Sequence, residues 1–139
     1  MRKIVLGVFL LLLSVPCTYA ADTAEVSPVG MITINDLVGK TLAFSWQSGP
    51  FKDAAHLVTV VDPNTLMFSI ESGKQMSTPK KIRFESMQPA EKVIILTWRS
   101  TEYGQTLVLT LDFENHMIFE VVVTKRTNYL SRGPFVLKK

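Results

Sequence analysis

Cysteine is almost absent from this sequence, because Cys17 is the only one among 139 residues. One cysteine cannot close a disulfide within the chain, and it cannot supply the several thiolates of a structural zinc site. Histidine is nearly as scarce, since only His56 and His116 occur, far apart in the chain. The sequence therefore predicts neither a disulfide framework nor a metal site, and we expect no cofactor.

The familiar catalytic motifs are also missing. The chain contains no Gly-x-Ser-x-Gly nucleophile turn and no glycine-rich phosphate loop. Its acidic residues are scattered over strand faces and turns rather than paired at close spacing. No set of acid, base and nucleophile is visible, so the sequence disfavours an enzyme without excluding one.

No hydrophobic run is long enough to cross a bilayer as a helix, which takes about 20 residues. The uncharged stretch Ile4–Val15 is shorter; it follows Arg2 and Lys3 and precedes the small residue Ala20. This order of basic start, apolar run and small residue is typical of a secretory signal peptide. We therefore predict that residues 1–20 are cleaved, that the mature protein is periplasmic or secreted, and that it does not stay inserted in a membrane.

The chain also lacks a strong excess of charge. Its formal net charge is +3, from 15 basic and 12 acidic residues. Loss of Arg2 and Lys3 with the signal peptide leaves 13 basic residues and a charge of about +1. A nearly neutral domain has no overall electrostatic attraction for phosphate backbones, so we expect no nucleic-acid partner.

What the sequence has in abundance is alternation of apolar and polar residues with a period of two, which predicts β-strands. Residues 21–35 are expected to form a leader and residues 36–139 the folded domain. A single helical turn is predicted between Ile32 and Val38. The predicted strands are Thr41–Trp46, Ala55–Val61, Thr65–Glu71, Lys80–Met87, Lys92–Arg99, Gln105–Phe113, Met117–Thr124 and Pro134–Leu137. About eight strands at short spacing predict an all-β antiparallel barrel of the calycin or lipocalin type.

The apolar strand faces are rich in aromatic residues, and in such a barrel they would point inward. A barrel of this size is either filled by its side chains or holds one small ligand. The leading hypothesis is a small, mostly apolar ligand in the interior, bound by Phe44, Trp46, Phe68, Trp98, Leu109 and Phe119. The alternative is a filled barrel that acts as a protein-interaction module, an inhibitor or accessory factor, with a protein partner at loops such as Trp46–Asp53.

Several short segments carry a resemblance to a known family. They are Leu37–Thr41, Asn64–Leu66, Ile94–Trp98, Gly104–Phe113 and Leu130–Phe135. Over residues 36–137 the chain resembles the MoaF-like family, named after molybdenum-cofactor biosynthesis protein F. The resemblance implies a calycin-type barrel similar to lipocalins and to the phenolic acid decarboxylases.

The chain departs from that family at one position that matters for function. The family strand usually ends in Trp-x-Glu, whereas Trp98 is followed by Arg99 and then Ser100. After the predicted signal peptide only Tyr103 and Tyr129 remain as tyrosines, and the sequence does not support a phenol-binding tyrosine pair with a catalytic carboxylate. A decarboxylase-like activity is therefore the least favoured of the alternatives.

Overall fold

The computed structural model describes residues 30–72 and 77–139. Within these ranges the chain is built almost entirely of β-strands, which confirms the all-β prediction. One short 3₁₀-helix, Ile34–Leu37, lies where the helical turn was predicted. The strands are β1 (Thr41–Ser45), β2 (Ala55–Asp62), β3 (Thr65–Ile70), β4 (Ser77–Arg83), β5 (Glu85–Ala90), β6 (Val93–Ser100), β7 (Gln105–Asp112), β8 (Met117–Val123) and β9 (Asn128–Lys138).

All nine described strands belong to one antiparallel sheet, in the order β4-β3-β2-β1-β9-β8-β7-β6-β5. The two edge strands, β4 and β5, are separated along the chain by Phe84 alone. Because β4 pairs with β3 and β5 pairs with β6, the sheet must curl for its two edges to meet at this residue. The predicted closed barrel of eight strands is therefore replaced by a curled sheet of nine, in which the predicted strand Lys80–Met87 is divided at Phe84. We call the line along which the two edges meet the seam.

The edge strands carry features that protect unpaired backbone. Pro79 lies in β4 and Pro89 in β5, and most side chains of both strands are exposed. Proline and lysine on an edge strand disfavour pairing with another chain. Lys80 and Lys81 add charge to the β4 edge. The composition of these two strands therefore suits exposed edges.

Strand β9 is longer than predicted, and it joins the two halves of the sheet. Its residues from Asn128 to Pro134 pair with β8, and those from Phe135 to Lys138 pair with β1. At Gly133 the strand lies against the backbone of β1, where a Cβ atom would collide with the carbonyl oxygen of Ser45. Only glycine permits this close approach.

The concave face of the sheet holds one continuous hydrophobic core. Directly paired residues such as Leu96 and Leu109, or Ile94 and Leu111, are completely buried. Ile32, which the sequence placed in the leader, also belongs to this core. Its N–H donates to the carbonyl oxygen of Glu91 (2.9 Å), and the 3₁₀-helix beside it buries Leu37. These contacts cover one end of the curled sheet.

Phe119 was predicted to face the interior, and this prediction is wrong. The side chains of β8 that point inward are Ile118, Glu120 and Val122, whereas Phe119 is 36% exposed on the outer face. The reason is the pairing register, which aligns Ile118 with the buried Leu111. Both faces of β8 are apolar, so the alternation in the sequence does not reveal which face is inner.

Candidate functional site

The described residues form a cleft of about 520 Å³ at the seam. It lies where β4 passes into β5, beside the second half of β6 and the start of β7. We call it the seam cleft. Its lining residues are Asn64, Arg83, Phe84, Glu85, Thr97, Trp98, Arg99 and Thr106.

Two aromatic side chains supply the apolar part of the seam cleft. Phe84 and Trp98 are only 4% and 6% exposed, so the cleft reaches them at its inner side. Trp98 also approaches Phe68 across the interior, with ring centroids 6.4 Å apart. The cleft therefore ends on the hydrophobic core and offers an aromatic surface to a ligand.

The outer part of the seam cleft is polar and carries two guanidinium groups. Arg83 and Arg99 are exposed side chains on β4 and β6, and neither forms an ion pair with a described residue. Glu85 is the one carboxylate in the lining. Thr97 already donates its hydroxyl to the carbonyl oxygen of Leu107 (3.1 Å). The cations are therefore the lining groups best able to bind an anion, because guanidinium remains charged and offers several donors in one plane.

An ion pair crosses the seam beside the cleft. Lys80 of β4 donates to the carboxylate of Glu102 in the β6–β7 turn (2.7 Å), and its ammonium lies 5.8 Å from the centre of the Tyr103 ring. This hydrogen bond raises the pKa of Lys80 and lowers the pKa of Glu102. Both side chains are about half exposed, so the pair contributes little to stability, but it links the two sides of the seam.

The structure does not bring the sequence-predicted site residues together around one cavity. Trp98 alone lines the seam cleft, while Phe44, Trp46 and Leu109 are buried in the packed core. Phe68 is partly buried and packs against that core, and Phe119 lies on the outer face. The interior positions that were expected to bind a ligand are therefore occupied by side chains packed on one another.

Apart from Trp98, the residues that line the cleft were not predicted as site residues. Arg83 belongs to the basic stretch Lys80–Arg83, and Arg99 follows Trp98 on the opposite face of its strand, so neither position stands out in the sequence as part of a site. They come together only because the sheet curls and its edges meet. The one indication in the sequence that the edges meet is Phe84, an apolar residue between polar ones. At this residue β4, which pairs with β3, gives way to β5, which pairs with β6.

His56 is a core histidine and not part of the cleft. Its ring stacks on Phe44 with centroids 5.3 Å apart, and its Nδ1 donates to the carbonyl oxygen of Ala54 (3.2 Å). Burial lowers its pKa, so the ring is neutral near pH 7.

Among residues 30–72 and 77–139, no three histidine, aspartate or glutamate side chains are grouped as metal ligands. No helix in this part of the chain is long and apolar enough to cross a membrane.

The curled sheet has a counterpart among solved structures. The crystal structure of a "putative beta-lactamase" from Burkholderia vietnamiensis aligns with 73% of this chain and 94% of its own, with a TM-score of 0.62 and 14% sequence identity. At this identity the likeness concerns the fold alone. No protein-family model matches the sequence, and no curated protein does.

Proposed function

We propose that this protein binds a small amphipathic anion in the seam cleft, and that it acts as a binding protein rather than an enzyme. The observation that carries the proposal is the pairing of an aromatic inner surface, Phe84 and Trp98, with two arginines that have no ion-pair partner among the described residues. The cleft volume of about 520 Å³ falls within the range of small-molecule sites.

The lining defines the chemistry of the ligand. An aromatic or aliphatic body packs against Trp98, while a carboxylate, sulfonate or phosphate accepts hydrogen bonds from Arg83 and Arg99. Glu85 lies in the same lining and repels a second negative charge. The proposed ligand is thus the mostly apolar molecule expected from the sequence, with an anionic group in addition. It binds at the seam and not in the interior of the sheet.

A pair of fluorescent probes tests this proposal. Anilinonaphthalene sulfonate carries an aromatic body and one anion, and phenylnaphthylamine has a similar body without the charge. We expect the sulfonate to bind more tightly. Replacing both Arg83 and Arg99 by Gln should weaken sulfonate binding about tenfold or more, the effect of losing charge-assisted hydrogen bonds, and should leave the neutral probe unaffected.

Arg126→Gln is the matched control, since Arg126 is an exposed arginine in the β8–β9 turn, away from the cleft. It should change neither affinity. Equal binding of the two probes, or unchanged sulfonate binding in the double variant, would show that the arginines do not form an anion site. A thermal melt of each variant distinguishes loss of binding from loss of folding.

We also propose that the domain is an exported, calycin-type barrel related to the MoaF-like family. The short segments from Leu37 to Phe135 support the family relation, and the order of residues 1–20 supports export. A binding role is compatible with a barrel-like sheet whose core is packed, because the ligand then enters at the seam and the core remains intact.

A protein-interaction role is the second candidate, and the outer face of β8 and β9 favours it. Leu130 is 67% exposed there, and Phe119, Val123 and Val136 are exposed on the same two strands. Leu130 is paired with Val121, between Phe119 and Val123, and such a cluster of apolar side chains is typical of a contact surface. A photo-crosslinking amino acid placed at position 130 should capture a partner in cells, whereas one at Glu114, in an exposed turn, should not. Absence of any adduct at position 130 would remove this candidate.

A further inference from the structure

Three polar side-chain atoms are buried without a hydrogen-bond partner among the residues that the structure describes. They are Nε1 of Trp46, Oε2 of Glu120 and Oγ of Ser131. The three residues are only 2%, 4% and 1% exposed. Buried polar atoms are nearly always hydrogen-bonded, to protein or to bound molecules, because an unpaired one destabilises the fold. These three atoms therefore need hydrogen-bond partners that the described residues do not supply.

The pairing of the strands places these three residues on neighbouring backbone segments. Glu120 of β8 and Ser131 of β9 are directly opposite, which puts their Cβ atoms about 5 Å apart. Trp46 follows β1 on the other side of β9, where the next residue, Gln47, donates its N–H to the carbonyl oxygen of Arg132 (2.8 Å). Trp46, Ser131 and Glu120 therefore lie on three adjacent backbone segments and on the same inner face.

Two glycines allow the chain to close over this group of residues. Gly49, in the loop that follows Trp46, lies so close to β9 that a Cβ atom there would collide with the Ser131 hydroxyl. Gly133 lets β1 approach β9 beside Trp46, as described above. Phe51 of the same loop packs against the core. The loop of residues 47–54 thus packs over Ser131 and against the core.

We propose that Trp46, Glu120 and Ser131 form an internal site for one small hydroxyl-bearing molecule, either water or a small alcohol. A hydroxyl group matches the three atoms because it donates and accepts. It can accept a hydrogen bond from the indole N–H, which only donates, and donate one to the Glu120 carboxyl. The Ser131 hydroxyl can either donate a hydrogen bond to the bound hydroxyl group or accept one from it. The internal site is distinct from the seam cleft and does not depend on the function proposed for that cleft.

The surroundings of Glu120 favour a neutral ligand over a cation or an anion. The residues opposite it are Leu109 on β7 and Ser131 on β9, neither of which is charged. Tyr129 follows the same inward alternation on β9 but is partly exposed, and His56, the other buried titratable side chain among the described residues, lies on β2. Burial raises the pKa of the Glu120 carboxyl to about 7, so the group is partly protonated at neutral pH.

Water-selective nuclear magnetic resonance on the wild-type protein tests the site. The indole N–H of Trp46 should show an Overhauser cross-peak to water, with the sign of a long-lived bound molecule. Addition of isotope-labelled methanol distinguishes the two sources: methyl cross-peaks to the same indole identify a site that admits alcohols, and their absence identifies one that holds water alone. A wild-type protein with no long-lived hydroxyl signal at this indole would overturn the proposal.

Two serine variants provide the matched comparison. Ser131→Ala should weaken the cross-peak at Trp46 severalfold. Ser69→Ala should not, because Ser69 is a buried serine whose hydroxyl already donates to Glu71 (2.7 Å). Equal cross-peaks in both variants would contradict a role for Ser131. If Ser131→Ala does not fold, the wild-type measurement still decides the question.

Discussion

At the scale of single residues, Glu120 should make the stability of the fold depend on pH. Burial raises the pKa of its carboxyl from 4.5 to about 7. The folded state therefore prefers the protonated form of Glu120. Below about pH 4.5 the carboxyl does not destabilise the fold. Between about pH 4.5 and 7 the destabilisation grows as the pH rises, and above about pH 7 it is constant. The full effect is roughly 3 kcal/mol in the free energy of unfolding. We expect Glu120→Gln to abolish it, as measured by urea denaturation across this range.

His56, the second buried titratable group, gives stability the opposite dependence on pH. The effect of Glu120 must therefore be measured as a difference between variants. Burial lowers the pKa of His56, and its contribution is therefore lost as the pH falls below about 6.5. The difference between wild type and Glu120→Gln isolates Glu120, because His56 is common to both. Glu114→Gln, in an exposed turn, is the control and should give a curve parallel to wild type. A curve for Glu120→Gln that runs parallel to wild type would show that burial does not raise the pKa of Glu120 and would contradict the prediction.

Trp98 and Arg99 are neighbours on β6 that should differ greatly in their effect on stability. Trp98 packs in the core, and loss of such a side chain typically costs about 3–5 kcal/mol. Arg99 is exposed, so Arg99→Ala should change the free energy of unfolding by less than about 0.5 kcal/mol. Denaturant melts of the two single variants test this. Similar small losses would mean that the inner and outer faces of β6 have been exchanged.

The residues that could be assigned from the sequence are those on strands with unequal faces. Leu107, Leu109 and Leu111 share one face of β7, and the other face carries Thr106, Val108 and Thr110 and is less apolar. This contrast correctly identified the buried face carrying Leu109. Met117, Phe119 and Val121 alternate with Ile118 and Val122 instead, so β8 offers no such contrast. Its only polar inner residue is Glu120, which misleads any assignment based on polarity.

At the scale of elements, the strand that binds the two halves of the sheet together is β9. It pairs with β8 through its first part and with β1 through its last part, and Gly133 lies near the change of partner. The sequence predicted only the part Pro134–Leu137, which begins directly after Gly133. A glycine required for close approach between strands cannot be distinguished from a turn glycine by sequence alone.

Gly133→Ala should therefore be more destabilising than an alanine at a turn glycine. The new Cβ would meet the carbonyl oxygen of Ser45, a backbone atom that can move only if β1 and β9 separate. We expect a loss near 3 kcal/mol in the free energy of unfolding, the upper end of the usual cost of overpacking.

Gly39→Ala is the control, since Gly39 has a φ of 78° but no atom within 4 Å of the added Cβ. It should lose only the roughly 1 kcal/mol of left-handed strain. Thermal melts compare the two variants. A Gly133→Ala protein as stable as Gly39→Ala would contradict the close packing of β9 against β1.

At the scale of the whole molecule, the all-β class could be predicted but the seam could not. Alternation of residues is local, and it identified most of the strands. Which strands become edges depends on how a curled sheet closes, and that is set by contacts between distant parts of the chain. The seam cleft exists only through that closure, so neither Arg83 nor Arg99 could have been assigned to a site from sequence pattern.

Export is the prediction that concerns the whole chain, and it falls on residues outside those that the structure describes. Arg2 and Lys3, the apolar run Ile4–Val15 and the small residue Ala20 predict cleavage after Ala20. The run is too short to span a bilayer as a helix, which favours removal over anchoring. Terminal sequencing of the exported protein should therefore begin at Ala21.

Two variants separate this route from lipid attachment at Cys17. A lipoprotein signal normally has Leu three residues before the cysteine and a small residue directly before it, where this chain has Ser14 and Pro16. We therefore expect Cys17→Ser to be processed like wild type, whereas Ala20→Glu, which places a charge at the cleavage position, should accumulate as precursor. Mass spectrometry of the secreted and membrane fractions measures both. A diacylated Cys17 in the wild type, or processing blocked by Cys17→Ser, would mean that the chain is anchored by lipid; a mature protein still carrying Met1 would mean that it is not processed at all.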